Sequence, residues 1–231
     1  NNDRYQFFGV KPEDKTFVWI TVNRNSIRKN LPKTIFAFAE FRKKYPNTKL
    51  YLHTPIDENG IDLNVCLYQL GLSIKTDVIF PQNYNPIQGF SGSDLNRFYN
   101  ASDCFLSTSL GEGWGIGQCE AMAAGISVLL PNNTSTPEIL QNDKNGFSYQ
   151  CREAGFIDNQ GYRQDSRIED IVAKMEEVYL ASPVMKITKL QNARKFCTEN
   201  SWEVINQKWI ELFDRVVNSK VVDPGLISQS L

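Results

Sequence analysis

Residues 105–125 read Phe-Leu-Ser-Thr-Ser-Leu-Gly-Glu-Gly-Trp-Gly-Ile-Gly-Gln-Cys-Glu-Ala-Met-Ala-Ala-Gly, the stretch with the densest chemical potential in the chain. Gly111, Gly113, Gly115 and Gly117 recur at every second position, where residues without Cβ let the backbone turn sharply and approach a ligand closely. Residues 118–124 favour helix. A helix starting behind such a loop aims unpaired N–H groups, and the positive end of its dipole, at whatever the loop holds. That combination is an anion site. Two carboxylates frame it, Glu112 inside the loop and Glu120 one to two turns into the helix. Their spacing means nothing alone, because Glu169/Glu177 and Glu203/Glu211 repeat it without a glycine loop. The informative unit is the whole string, from apolar strand through glycine loop and helix to a second apolar strand at 127–130.

The elements that must position this loop alternate along the chain. Strands are expected at 17–22, 50–52, 78–80, 105–106, 127–130 and 146–149, from runs of β-branched and aromatic residues. Helices are expected from Pro32 to the stop at Tyr45-Pro46-Asn47, then at 62–70, 94–100, 118–124, 168–180, 185–198 and 202–217. This pattern predicts an α/β fold, a Rossmann-like parallel sheet with helices on both faces, whose ligands bind at the carboxyl ends of the strands. The loop at 23–30, which follows the first strand and carries Arg24, Arg28 and Lys29, lies at that same edge. So does the loop 131–138. Residues 1–15 read as a polar lead-in, 151–167 as an irregular insert and 218–231 as a loose tail. Trp19, Trp202 and Trp209 read as core. His53, the sole histidine, ends a strand and reads as structural or solvated ahead of a catalytic base.

Composition narrows the function classes. The 231 residues carry a net charge of -1, so no global basic field recruits nucleic acid or an anionic membrane, and any anion needs a local site. The apolar runs are strand-sized and no signal-peptide pattern opens the chain, so a cytoplasmic protein without a transmembrane segment is expected. Five cysteines, odd in number and never spaced C-x-x-C, suggest neither a disulfide framework nor a zinc site. The chain begins Asn1-Asn2-Asp3 without a methionine, and a fragment of a longer protein is expected.

The string at 105–130 resembles the Glu-x7-Glu signature of retaining glycosyltransferases of the GT-B fold, above all glycosyltransferase family 4. The resemblance extends over roughly 16–217, including the Ser201-Trp202-Glu203 opening of the last helix. It implies that 16–217 is a C-terminal, nucleotide-sugar-binding domain. An N-terminal domain outside this chain would meet a carbohydrate or lipid-linked acceptor, and without it the domain would be inactive. Residue by residue, Arg24 and Lys29 would grip the donor's diphosphate, with Arg28 the weaker candidate of its pair. Glu112 would lie by the donor sugar and its reacting centre, and Glu120 would accept from the ribose hydroxyls. Backbone N–H groups of Gly113, Trp114, Gly115, Ile116 and Gly117 would contact sugar and phosphates. Phe80, Pro81 and Gln82 stand where the base lies, and Glu138 matches a donor-side position or serves a helix dipole. Trp114 replaces the usual Phe, and Gly117 replaces the usual Pro, which should loosen the loop.

By the same resemblance the transfer is retaining and metal-independent, and the sequence has no Asp-x-Asp metal-binding motif. No cofactor is implied beyond the donor. GDP-mannose leads UDP-glucose and UDP-N-acetylglucosamine as the expected donor. Two alternatives stay open: a non-catalytic nucleotide-sugar-binding module, and a GT-B type sugar-nucleotide epimerase. A dinucleotide oxidoreductase does not fit, since Glu120 stands where a third glycine is wanted and the loop follows the fourth strand instead of the first.

Overall fold

Phe-Val-Trp-Ile-Thr-Val at 17–22 has the continuous apolar, β-branched character of a strand covered on both faces, and it forms the middle of the sheet. In the computed structural model, which describes residues 2–58, 61–82, 84, 89–158 and 161–218, α1 (Asn2–Phe8) precedes β1 (Phe17–Val22). There follow α2 (Leu31–Lys44), β2 (Thr48–His53), the short strands β3 (Asp57–Glu58) and β4 (Ile61–Asp62), α3 (Leu63–Gln69) and β5 (Val78–Ile79). The second half runs α4 (Gly92–Asn100), β6 (Cys104–Leu106), α5 (Ile116–Ala124), β7 (Ser127–Pro131), α6 (Thr136–Leu140) and β8 (Phe147–Tyr149). The strands β9 (Arg152–Asp158) and β10 (Gly161–Asp165) then lead to α7 (Ile168–Leu180), α8 (Pro183–Glu199) and α9 (Trp202–Asn218).

Six strands pair in parallel in the order β5-β2-β1-β6-β7-β8. The chain works outward from β1 to β5, then returns to place β6 on the other side of β1. Strand order therefore reverses between β1 and β6, and in such open sheets the crevice outside the carboxyl ends at that switch point is where ligands bind. The strand period of two sends successive side chains to opposite faces. Val18 and Ile20 pack with Phe105 and Met122 on one side, while Trp19 packs with Ile35, Phe38 and Met175 on the other. The α/β fold is the one the alternating segments predict.

Three expectations are corrected. The lead-in is not merely polar: its first residues form α1, and Phe8, only 1% exposed, and Val10 enter the core. Phe8 packs against Tyr51 with ring centroids 5.1 Å apart, and Arg4 pairs with Asp103 at 3.0 Å. Charged neighbours mask this short apolar face in the composition. Residues 152–158 and 161–165 are not an irregular insert but an antiparallel pair with two register shifts, Tyr162 standing opposite Phe156 and Arg163 opposite Gly155. Neither side of this hairpin enters the main core, so it lacks the apolar alternation by which a strand is read. Trp19 is buried, but Trp202 and Trp209 are 75% and 51% exposed. Helix period shows that α9 has an apolar side, not that anything in this chain covers it, and α9 has no buried residue. The expected tail lies outside the described residues from 219 onward. Among the described residues no helix is long and apolar enough to cross a membrane.

Because α1 closes one end of the core, Phe8→Ala should destabilise the domain by about 3–5 kcal/mol in urea denaturation, the usual cost of emptying a buried phenylalanine site. A change below about 0.5 kcal/mol, the range of surface substitutions, would show that the segment is an appendage.

Candidate active site

The loop leaving β1 ends in a short 3-10 turn, Ile27–Lys29, and the loop leaving β6 runs beside it. Two hydrogen bonds to main-chain carbonyls fasten the pair: Leu110 N–H donates to Arg28 O at 2.8 Å, and the Thr108 hydroxyl donates to Asn30 O at 2.9 Å. Buried Thr108 and Thr34 also share a hydroxyl contact of 2.6 Å, which ties the start of α2 to the same loop. Hydrogen bonding to the main chain thus brings the basic turn and the glycine loop to the crevice before any charge interaction is considered.

Glu112 stands between two cations at that junction. Lys29 Nζ donates to Glu112 Oε1 at 2.5 Å and Arg28 Nη1 to Oε2 at 2.9 Å, while Arg28 also bonds Gly111 O. The Glu112 side chain is only 10% exposed. Burial raises its pKa, yet the hydrogen bond and charge of Lys29, with help from Ser109 and Arg28, outweigh this and hold it below the ordinary carboxylate value. From the other side Thr134, in the loop after β7, accepts the Glu112 N–H at 2.9 Å. Thr134 is itself steadied by buried Asn133, whose amide donates to Ser109 O at 3.2 Å.

The glycines divide the labour unequally. Gly115 alone in the loop has φ of +83°, and a Cβ there would stand 2.5 Å from the Gln118 side chain. The buried Gln118 amide donates to Trp114 O at 3.2 Å, folding the turn over itself. Gly117 lies in the first turn of α5, where a Cβ would stand 3.1 Å from Val22 O. Its small size lets the helix press on the end of β1. Gln118 and Cys119 N–H both turn back to Gly115 O. Among the described residues, no protein acceptor bonds the N–H groups of Gly113, Trp114, Gly115, Ile116 or Gly117. These five successive donors lie at the positive end of α5, where unpaired N–H groups can receive an anion or sugar hydroxyls.

Glu120 is fixed one turn further on. The buried Tyr99 hydroxyl lies 3.0 Å from Glu120 Oε2 and 3.1 Å from Gly117 O. Burial, then the neighbouring Glu120, pushes the Tyr99 hydroxyl pKa well up, so it remains a donor. Nothing in the local pattern marks this partner except an aromatic residue ahead of β6.

The other expected residues lie apart. Arg24 extends outward, its side chain 75% exposed, and pairs with Glu58 at 2.7 Å; the structure joins Arg28 and Lys29 to Glu112, and not Arg24. Phe80 and Pro81 are half-buried and Gln82 exposed at the end of β5, three strand spacings from β6, or roughly 14 Å. Glu138 is exposed in the first turn of α6. Trp114 stacks on Phe196 with ring centroids 6.1 Å apart, and an apolar groove of about 590 Å³ runs beside them, bordered by Glu120, Trp202 and Ile205. His53 is buried, 2.9 Å from the Tyr51 hydroxyl and ringed by Phe90 and Phe98. Burial lowers its pKa to about 4, so it is neutral and structural.

Residues 2–156 match the family model described as "Glycosyl transferases group 1". The chain is 26% identical to an alpha-monoglucosyldiacylglycerol synthase of Acholeplasma laidlawii, over 74% of this chain and 40% of that protein. It is 34% identical to the serotype-specific mannosyltransferase WbdA of Escherichia coli, over 49% of this chain and 13% of that one. The chain thus spans well under half the length of these relatives. A sucrose-phosphate synthase from Thermosynechococcus elongatus has the same fold, with a TM-score of 0.73 at 17% identity over 95% of this chain and 50% of that chain. The C-terminal domain of a glycosyl transferase group 1 family protein from Francisella tularensis superposes with a TM-score of 0.62 at 21% identity, over 84% and 91% of the two chains.

Two stability measurements follow from this geometry. Gly115→Ala should cost about 1–3 kcal/mol through its left-handed backbone and the Gln118 clash. Gly113→Ala, whose methyl meets nothing within 4 Å, should stay within about 0.5 kcal/mol; equal costs would contradict the assigned turn. For His53 the unfolded chain takes up a proton below its ordinary value near 6.5 and the folded chain does not until about 4. Stability should therefore fall as pH drops through that window, by about 2 kcal/mol between pH 7 and pH 5. His53→Phe should flatten that slope in urea denaturation, and an unchanged slope would remove His53 as its source.

Proposed function

This chain belongs to the group 1 glycosyl transferases, and from that premise we propose that it is the donor domain of a retaining GT-B glycosyltransferase of family 4. Its crevice binds a nucleoside diphosphate sugar. The single observation carrying this reading is the clasp of Glu112 by Arg28 and Lys29 at the head of a glycine loop whose next five N–H groups bond no acceptor among the described residues.

An arriving diphosphate carries more negative charge than one carboxylate and competes with Glu112 for Lys29 and Arg28. Each charge-assisted bond so gained is worth about 1.5–3 kcal/mol. The displaced Glu112 is then at hand for the donor sugar's hydroxyls and reacting centre. Glu120, held by Tyr99, accepts from the ribose, because two vicinal hydroxyls call for a carboxylate acceptor. Phe80, Pro81 and Gln82 border the base, and Arg24 swings from Glu58 to the diphosphate. As the bond from sugar to phosphate breaks, negative charge gathers on the leaving phosphate, and Lys29, Arg28 and the open N–H row stabilise it where it develops. Cations and N–H groups supply this stabilisation, so the reading assigns no metal. Transfer proceeds with retention on the face the diphosphate leaves.

The donor is GDP-mannose, a reading supported by relatives named as mannosyltransferases, among them one from Xenopus tropicalis named for GDP-Man. The relative named as a glucosyl-transferring synthase makes UDP-glucose the competing donor. A carbohydrate or lipid-linked acceptor is met by a further domain of the longer, cytoplasmic protein.

Calorimetric titration with GDP, UDP, ADP and inorganic pyrophosphate, with and without magnesium, tests the assignment. One nucleoside diphosphate should bind best, indifferent to the metal. Lys29→Ala should weaken it and pyrophosphate alike by about tenfold or more. Glu120→Ala should weaken the nucleotide and spare pyrophosphate; equal loss of both would sink the role given to Glu120.

A further inference from the structure

The β9–β10 hairpin brings a third guanidinium to the glycine loop. In β10 the residues Gly161, Arg163 and Asp165 are half-buried while Tyr162 and Gln164 are exposed, so the first three face the domain. Asp165 pairs with Lys33 in the first turn of α2, and Lys33 also donates to Ser166 O at 2.7 Å. The hairpin is thereby pinned to the helix that directly follows the Arg28–Lys29 turn. Two residues before that anchor, Arg163 reaches the glycine loop. Its Nη1 lies 3.4 Å from where a Cβ would stand at Gly111, and the Thr134 methyl is 3.1 Å from the same point. Arg28 holds the carbonyl of Gly111 and Thr134 holds the N–H of Glu112. Arg163 and Arg28 thus approach one glycine, next to the carboxylate that Lys29 grips.

We propose that Arg163 is a further anion-recognising residue of the donor site, delivered by the β9–β10 hairpin to the glycine loop beside Arg28 and Lys29. This rests on the donor-site reading above. A guanidinium carries five N–H donors in a planar fork that matches phosphate geometry, so a bond made elsewhere still leaves donors for a phosphate oxygen. Its place beside Gly111 lets it bind the donor's diphosphate once Glu112 gives way. The ligand group is the diphosphate, not the base or ribose.

The test is calorimetric titration of the chain and of its Arg163→Gln and Arg163→Lys variants with GDP, UDP, guanosine, uridine and inorganic pyrophosphate, alongside thermal unfolding. Arg163→Gln should weaken the preferred nucleoside diphosphate and pyrophosphate by about tenfold, the effect of one charge-assisted bond. It should leave the nucleoside unchanged, and Arg163→Lys should recover part of the loss. Undiminished pyrophosphate binding in Arg163→Gln would overturn the proposal while leaving the donor site standing. Equal weakening of nucleoside and pyrophosphate, or a lysine variant no better than glutamine, would reduce Arg163 to a packing role. A parent chain that binds no diphosphate would bring down the donor reading and the role of Arg163 with it.

Discussion

The clasp of Glu112 by Lys29 and Arg28 is the interaction on which the crevice depends. A carboxylate with a tenth of its surface exposed would be costly to bury alone, and two cations on separate oxygens offset that cost. The same cations would repel one another without an anion between them. The carboxylate therefore orders the basic turn in a form an anionic ligand can take over. Hydrogen bonds from Leu110 and Thr108 to main-chain carbonyls place the two loops so that the clasp can form.

The sheet makes this meeting possible. Strand order reverses at β1 and β6, and a βα unit on each side supplies one of the two loops that meet at their carboxyl ends. The loop after β6 hands directly to α5, so the dipole, the open N–H row and Glu120 arrive together. Gly117 contributes by its small size, since a Cβ there would crowd Val22 O at 3.1 Å. Tyr99, rooted in the core between α4 and β6, carries the rigidity of that core to Glu120.

Two parts of the chain stand outside the sheet and its two cores. The β9–β10 hairpin bears on the loop rather than on the core, pinned by Lys33 and Asp165. The helix α9 follows Ser201 with most of its apolar residues exposed, and Trp209 stacks on Phe213 of the same helix. Both are secondary structure whose partners lie outside the hydrophobic cores, and each defeats a reading based on periodicity alone.

Sequence by itself determined the alternation of strands and helices, the parallel α/β architecture and the glycine loop with Glu112 and Glu120. These rest on local rules: period, β-branching, caps and the backbone freedom of glycine. It also marked Lys29 as close to the site, because any loop leaving a parallel strand at its carboxyl end faces the ligand edge. Only the tertiary structure decided which cation meets Glu112. Arg24, Arg28 and Lys29 share one loop, and the 3-10 turn aims the last two inward while Arg24 points to Glu58. Tyr99 and Arg163 were illegible for a related reason. Their contacts with Glu120 and Gly111 cross 21 and 52 positions of chain, and no local pattern records a contact made by sheet order and a pinned hairpin. Burial of Phe8 and exposure of Trp202 likewise turned on what packs against each helix, which an amphipathic face calls for but does not supply.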